Sequence, residues 1–229
     1  DKRGVRAVAT ALGNSKRTAR FAASIYGREV RPFPLAVPDS ALVAAPRREK
    51  GDWFLFTGRL FAVKNVFGAL DGFTEFVRLT GDRRMRLVYA GEGPEREPLL
   101  RLAKERGLEG RVEAPGWTEP AELARLMGGA AAVLNIPYRE PFGLVTLEAW
   151  ARGGALILAN DGGSAELATD GANALLVDPG KPAEIAAAMA RLAGEQGLAR
   201  RLAESGHRQV QAGHLMSQHV ARLVEILKG

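Results

Sequence analysis

Residues 53–77 read W-F-L-F-T-G-R-L-F-A-V-K-N-V-F-G-A-L-D-G-F-T-E-F-V, and their reading decides the architecture. Trp53–Thr57 is a short aromatic and apolar run that stops at a glycine, the pattern of a buried strand. Beyond it, Val66, Phe67, Leu70, Phe73, Phe76 and Val77 fall at i, i+3, i+4 spacing, which is one apolar face of a helix. A strand that is apolar throughout, followed by such a helix, is a unit of a parallel sheet covered on both sides.

The same alternation continues downstream. Further strands are expected at Arg86–Ala90, Arg111–Ala114, Ala131–Ile136, Leu156–Ala159 and Ala174–Val177. Between them, one helix is predicted to open at Pro94 and stop near Gly107. Another is expected to take Thr118 as its N-cap and to stop at Gly128-Gly129; a third runs from about Gly143 to Arg152. This predicts an α/β fold, a Rossmann-like parallel sheet with helices on both faces. After Pro182 the pattern is helix upon helix, with breaks expected near Gly194, Gly206 and Gly213. Near the start, Asn14-Ser15 reads as the N-cap of a helix reaching Tyr26. A proline-punctuated extended segment, 30–37, and a polar linker over 44–52 follow it.

The chain has 229 residues, 46% of them hydrophobic, enough to bury a core without disulfides or metals. It has no cysteine, which excludes a disulfide framework and a thiolate nucleophile and suits a reducing cytoplasm. No apolar run approaches the roughly 18–20 residues of a membrane span. The net charge of +6 is uneven: residues 1–50 carry 11 Lys/Arg against 4 Asp/Glu, and the remainder 21 against 22. With only Phe21, Tyr26 and Phe33 among those cations, the segment lacks the aromatic interleaving of a nucleic-acid face. A membrane or anionic-acceptor surface, or plain solvated charge, remain as its readings. His207, His214 and His219 all lie in the C-terminal helices without carboxylates at ligand spacing, so they read as packing or surface residues and no metal site is expected.

Open parallel sheets bind ligands outside the carboxyl ends of their strands. In the loop Gly58–Asn65, Arg59 and Lys64 stand ahead of a helix N-terminus; together these make an anion site suited to a diphosphate, although cations in so basic a chain also serve as surface charge. In E-P-F-G-L-V-T-L-E at 140–148, Gly143 permits close approach of the backbone, so that the amides of Gly143, Leu144 and Val145 face a phosphate. Glu148, just over a turn into that helix, is placed to accept from ribose hydroxyls, or merely complements the helix dipole. Glu140 in the loop is placed for sugar hydroxyls. The glycine loops Gly91-Glu-Gly93-Pro94 and Gly162-Gly163-Ser164-Ala-Glu166 are weak signals alone, and Trp117 beside Gly116 suits either packing or the flank of a nucleobase.

Taken in order, G-R-L-F-A-V-K-N at 58–65, G-E-G-P at 91–94, E-P-F-G-L-V-T-L-E-A at 140–149 and D-G-G-S-A-E-L at 161–167 resemble glycosyltransferase family 4, retaining enzymes of the two-lobed GT-B fold. The resemblance implies that Arg59 and Lys64 grip the diphosphate of a UDP- or GDP-sugar, that Glu140 holds the transferred sugar, and that Gly58 and Phe142 belong to the donor-binding set. It further implies that Gly143, Leu144 and Val145 meet the phosphates, Glu148 the ribose, and Gly116 and Trp117 the base. No cofactor or metal is implied, and the acceptor would be a glycan or lipid. Three positions depart from the family pattern: Asn65, which can still cap a helix, stands where glycine is frequent, and Trp150 and Arg152 stand where smaller or neutral residues are usual.

Opening on Asp1, the chain reads as a fragment: 1–37 the remnant of an acceptor lobe, 38–52 a linker, 53–210 the donor-binding domain, and 211–229 a helix that returns to the first lobe with Leu215, Leu223, Val224 and Leu227 on an apolar face. Two other readings stay open. A glycoside hydrolase would use Glu140 and Glu148 as paired carboxylates; a non-catalytic nucleotide-binding or scaffolding module would transfer nothing.

Overall fold

The structure is a computed structural model that describes residues 4, 8–47 and 49–228. Residues 1–3 and 5–7 of the expected acceptor-lobe remnant, Arg48 of the linker and Gly229 lie outside the described residues.

Six parallel strands form the main sheet: β3 (Trp53–Thr57), β4 (Arg86–Ala90), β5 (Val112–Gly116), β6 (Ala132–Asn135), β7 (Leu156–Ala159) and β8 (Leu175–Val177). Their spatial order is β5-β4-β3-β6-β7-β8. The chain therefore winds outward from β3 in one direction, then returns to the other side of β3 and winds the opposite way. The reversal opens a crevice at the carboxyl ends of β3 and β6, where a doubly wound sheet binds its ligand.

Period-two alternation splits the core. Phe54, Phe56, Leu87, Tyr89, Leu134 and Ile157 bury one face under α2 (Val66–Thr80), α3 (Arg96–Glu105) and α7 (Pro182–Gly194). Leu55, Val88, Val133 and Leu158 bury the other under α4 (Pro120–Gly129) and α5 (Leu144–Ala151). Each fully buried side chain of this size contributes about 1.5–3 kcal/mol. The long helix α8 (Leu198–Gly213) wraps the edge, joining the first cluster at Leu202 and the second at Val210.

The N-terminal unit is small. Strands β1 (Leu12–Gly13) and β2 (Arg31–Pro32) pair in parallel around α1 (Lys16–Tyr26), whose predicted cap holds: the Ser15 hydroxyl accepts from the Thr18 amide. The last helix, α9 (Met216–Lys228), returns to this unit. Its Met216 amide donates to the Val37 carbonyl, and His219 packs on Phe33 with ring centroids 4.3 Å apart. Of the apolar face expected there, Leu215 joins the second core cluster and Leu223 is half-buried, while Val224 and Leu227 are exposed.

The described residues of the 38–52 stretch are strapped down. The Val43 amide donates to the Ala151 carbonyl, the Val43 carbonyl accepts from the ring Nε2 of buried His207, and the Lys50 ammonium donates to the carbonyls of Gly128 and Gly153. Two sequence expectations are corrected. Thr118 does not cap α4; its hydroxyl turns back to the Gly116 carbonyl, and Glu119 holds the cap position without a side-chain bond. Gly206 does not break the C-terminal helices; it lies inside α8, buried against another helix.

Candidate functional site

The two loops at the crevice are the two that carried the motifs. After β3 the chain passes Gly58 and Arg59, makes a 3-10 turn over Ala62–Lys64, and enters α2 through Asn65. Asn65 adopts the left-handed conformation, φ 61°, which glycine takes freely and asparagine tolerates better than most residues. That conformation is the physical reason glycine suits the position. Asn65 holds the N-cap position of α2 but makes no side-chain bond to the helix's free amides. Instead its buried amide donates to the carbonyls of Ile136 and Pro179, tying this loop to those that follow β6 and β8.

After β6, residues 136–143 lead to α5. Gly143 is the N-cap residue with φ 81°, and a Cβ there would lie 2.8 Å from that of Ser164. The amides of Leu144 and Val145 open the helix ahead of its own hydrogen-bond ladder and have no acceptor among the described residues.

Between the loops lies a cavity of about 210 Å³ lined by Gly58, Arg59, Lys64, Asn135 and Val145, among others. Arg59 and Lys64 thus face one space rather than opposite sides. Arg59 is exposed, its guanidinium 5.4 Å from the centre of the Phe61 ring. Lys64 is held otherwise: its ammonium pairs with the Glu140 carboxylate at 2.6 Å, with side-chain exposures of 33% and 18%. A second cavity of about 330 Å³ shares the wall Thr57-Gly58-Arg59 and extends to Glu92, Trp117 and Thr118. Trp117 is 63% exposed, so it contributes to this hollow rather than to the core. The loop after β4 reaches the site by backbone contact, since a Cβ at Gly91 would fall 1.9 Å from the Gly58 carbonyl oxygen.

The structure brings together Gly58, Arg59, Lys64, Glu140 and Val145 around the first cavity, and Trp117, next to Gly116, beside the second. Leu144 is exposed at the start of α5. Phe142 is buried in the second core cluster. Glu148 is half-buried on the second turn of α5, lines neither cavity and has no side-chain partner among the described residues. With Glu140 engaged by Lys64 and Glu148 outside both cavities, a paired-carboxylate hydrolase finds no support. Asn135 and Glu92 line the site without having been singled out. Asn135 had a readable signal: it is a polar residue near the carboxyl end of the most apolar strand, where it now donates to the Thr146 hydroxyl at 3.0 Å. Among the described residues no cluster of three or more potential metal ligands occurs.

The family described as "Glycosyl transferases group 1" matches residues 42–209. The chain is similar to the lipopolysaccharide core biosynthesis glycosyltransferase LpsD of Rhizobium meliloti, 33% identical over 175 residues that cover 76% of this chain and 49% of that protein. It is also similar to a D-inositol 3-phosphate glycosyltransferase of a Nocardioides species, 34% identical over 186 residues, 73% of this chain and 39% of that one. It spans about half the length, or less, of these relatives. Among solved structures, Anabaena HepE in complex with UDP and glucose superposes with a TM-score of 0.86 at 19% identity, over 97% of this chain and 64% of that one. The fold is thus that of GT-B glycosyltransferases.

Proposed function

The chain belongs to the group 1 glycosyl transferases, and from that premise we propose that it is the nucleotide-sugar-binding unit of a retaining, metal-independent family 4 enzyme that transfers a hexose from a UDP- or GDP-sugar to a glycan or lipid acceptor. In this reading 53–210 is the donor domain, 38–52 the linker, 1–37 part of an acceptor lobe, and 211–229 the helix that joins the two. The observation that carries the proposal is the convergence of Arg59, Lys64 and the first turn of α5 on one cavity at the sheet's reversal point. The bound UDP and glucose of HepE support the choice of ligand class.

Transfer with retention delivers the acceptor oxygen to the anomeric carbon on the side the diphosphate leaves. The carbon–oxygen bond to the diphosphate breaks, the bond to the acceptor oxygen forms, and the acceptor's proton passes to a diphosphate oxygen. Negative charge grows on that leaving group. Arg59, Lys64 and the Leu144 and Val145 amides stabilise it as fixed donors that need no reorganisation. Glu140 orients sugar hydroxyls, Gly143 and Phe142 shape the loop beneath them, and Glu148 receives the ribose. Trp117 and Gly116 border the base in the larger cavity, which shares Arg59 with the smaller one. Among the described residues no helix is long and apolar enough to cross a membrane. The basic N-terminal segment supports work at the cytoplasmic surface of a membrane, where a lipid-linked acceptor would lie.

Titration calorimetry with UDP, GDP and ADP tests the binding half, with saturable heat expected from at least one of them. Silence with all three at millimolar concentration would defeat the proposal. The same titration in excess EDTA should be unchanged.

A further inference from the structure

The motif D-G-G-S-A-E-L at 161–167 carries a residue that neither cavity uses. Glu166 follows α6 (Gly162–Ala165), and both its carboxylate oxygens accept hydrogen bonds from the start of α1: the Lys16 amide at 2.7 Å and the Arg17 amide at 2.7 Å. With Ser15 taking the Thr18 amide, the first three amides of α1 are all satisfied, two of them by a side chain 150 and 149 positions away. A carboxylate there also meets the positive end of the helix dipole.

Behind Glu166, α6 is seated on the 140–143 loop. The Gly163 amide donates to the Glu140 carbonyl at 2.7 Å, and a Cβ at Gly163 would lie 2.0 Å from the Pro141 carbonyl oxygen, so no side chain fits between them. The Thr18 hydroxyl reaches the same Pro141 carbonyl at 3.4 Å. Ser164, fully buried, closes on Gly143 from the other side. One unbroken path therefore runs from α1 through Glu166 and α6 to Glu140, whose own side chain holds Lys64.

The geometry points to Glu166 as a positioning residue: it latches the N-terminal unit to the loop that holds the donor, so that docking of α1 and binding of the diphosphate favour each other. This rests on the reading of residues 140–145 as a phosphate and sugar loop. Coupling of this kind is reciprocal, so whatever loosens the latch weakens the donor site by the same factor. A residue that only capped α1 would have no such effect.

The test compares the protein with its Glu166→Ala and Glu166→Gln variants by hydrogen exchange without ligand and by calorimetry with UDP, GDP or ADP, whichever the unaltered protein binds. Glu166→Ala should speed exchange at residues 16–18 and also at 140–145 and 163, and should weaken nucleotide binding about fivefold or more. Glu166→Gln keeps one accepting oxygen and should fall between the two; it also serves if the alanine variant fails to fold. Faster exchange confined to residues 16–18, with nucleotide affinity unchanged in both variants, would reduce Glu166 to a helix cap and overturn the inference. If the unaltered protein binds no nucleotide, the functional reading falls on its own, and exchange at 140–145 alone decides whether the latch exists.

Discussion

Gly206 of α8 packs directly on the indole of Trp150 in α5: a Cβ on Gly206 would sit 2.1 Å from Trp150 Cδ1 and 2.2 Å from Nε1. Trp150 is fully buried, and its indole N–H donates to the Asn173 carbonyl at 3.1 Å. The large residue on one helix and the missing side chain on the other are complementary, which explains how Trp150 is accommodated behind the site.

That complementarity predicts a sign that helix propensity alone gets wrong. Replacing a mid-helix glycine by alanine normally gains about 1 kcal/mol. Here Gly206→Ala should instead destabilise by about 1–3 kcal/mol, because the indole has nowhere to go. Trp150→Met in the same chain should recover much of the loss, giving a coupling of about 1–2 kcal/mol in a double-mutant cycle measured by urea unfolding. Additive losses would mean that the two positions do not share one space.

Asn65 gives a second stability prediction. Its side chain makes two buried bonds while its backbone stays left-handed. Asn65→Ala loses both bonds and strains the backbone, for an expected cost of about 2–4 kcal/mol. Asn65→Gly loses the bonds but relieves the backbone, and should cost about half as much. Thermal unfolding of the two variants decides it, and equal losses would show that the bonds alone matter.

These cases mark what sequence could and could not tell. The sheet was legible because Phe54 and Leu55 belong to a continuous apolar run and Val66–Val77 repeat with helical period, and both patterns follow from backbone geometry. The motif loops were legible because β3 and β6 end where the winding reverses. Gly206 was misread because a glycine in a helical pattern looks like a break unless its distant neighbour is known. The side-chain role of Asn65 was not legible for a similar reason: its hydrogen-bond partners, Ile136 and Pro179, are far away in sequence. Glu166 went unassigned because no periodicity links it to Lys16. Contacts set by tertiary packing leave no local pattern to read.

Lys50 makes stability depend on alkaline pH. Burial, followed by repulsion from Arg47, pushes its ammonium down to about 8 from an ordinary value of 10.5. Between those values the unfolded chain binds a proton that the native chain has released, so stability rises with pH. Below about pH 8 both states are charged and the burial penalty is fully present. Unfolding free energy should therefore increase by about 1–2 kcal/mol, from this residue, between about pH 7.5 and 9.5. In Lys50→Met that increment should vanish. A urea-unfolding series showing the same slope in both proteins would assign the pH dependence elsewhere.

The Lys64–Glu140 pair makes the strongest prediction about the site, because its two members should respond with opposite signs. Without ligand they neutralise each other at 2.6 Å, partly shielded from water. A diphosphate entering the cavity would compete with Glu140 for the ammonium and would be repelled by the carboxylate. Glu140→Gln removes both the competitor and the repulsion, so nucleoside diphosphate should bind severalfold more tightly even as sugar transfer falls. Lys64→Met removes a charge-assisted bond of about 1.5–3 kcal/mol and leaves Glu140 unpaired, so binding should weaken at least about tenfold. Both effects should shrink as salt is raised, since the cavity is open to solvent ions. Calorimetry on the two variants at low and high salt reads all of this. A loss of affinity in Glu140→Gln comparable to that in Lys64→Met would mean that the pair acts as a structural strut rather than as a charge released to the donor.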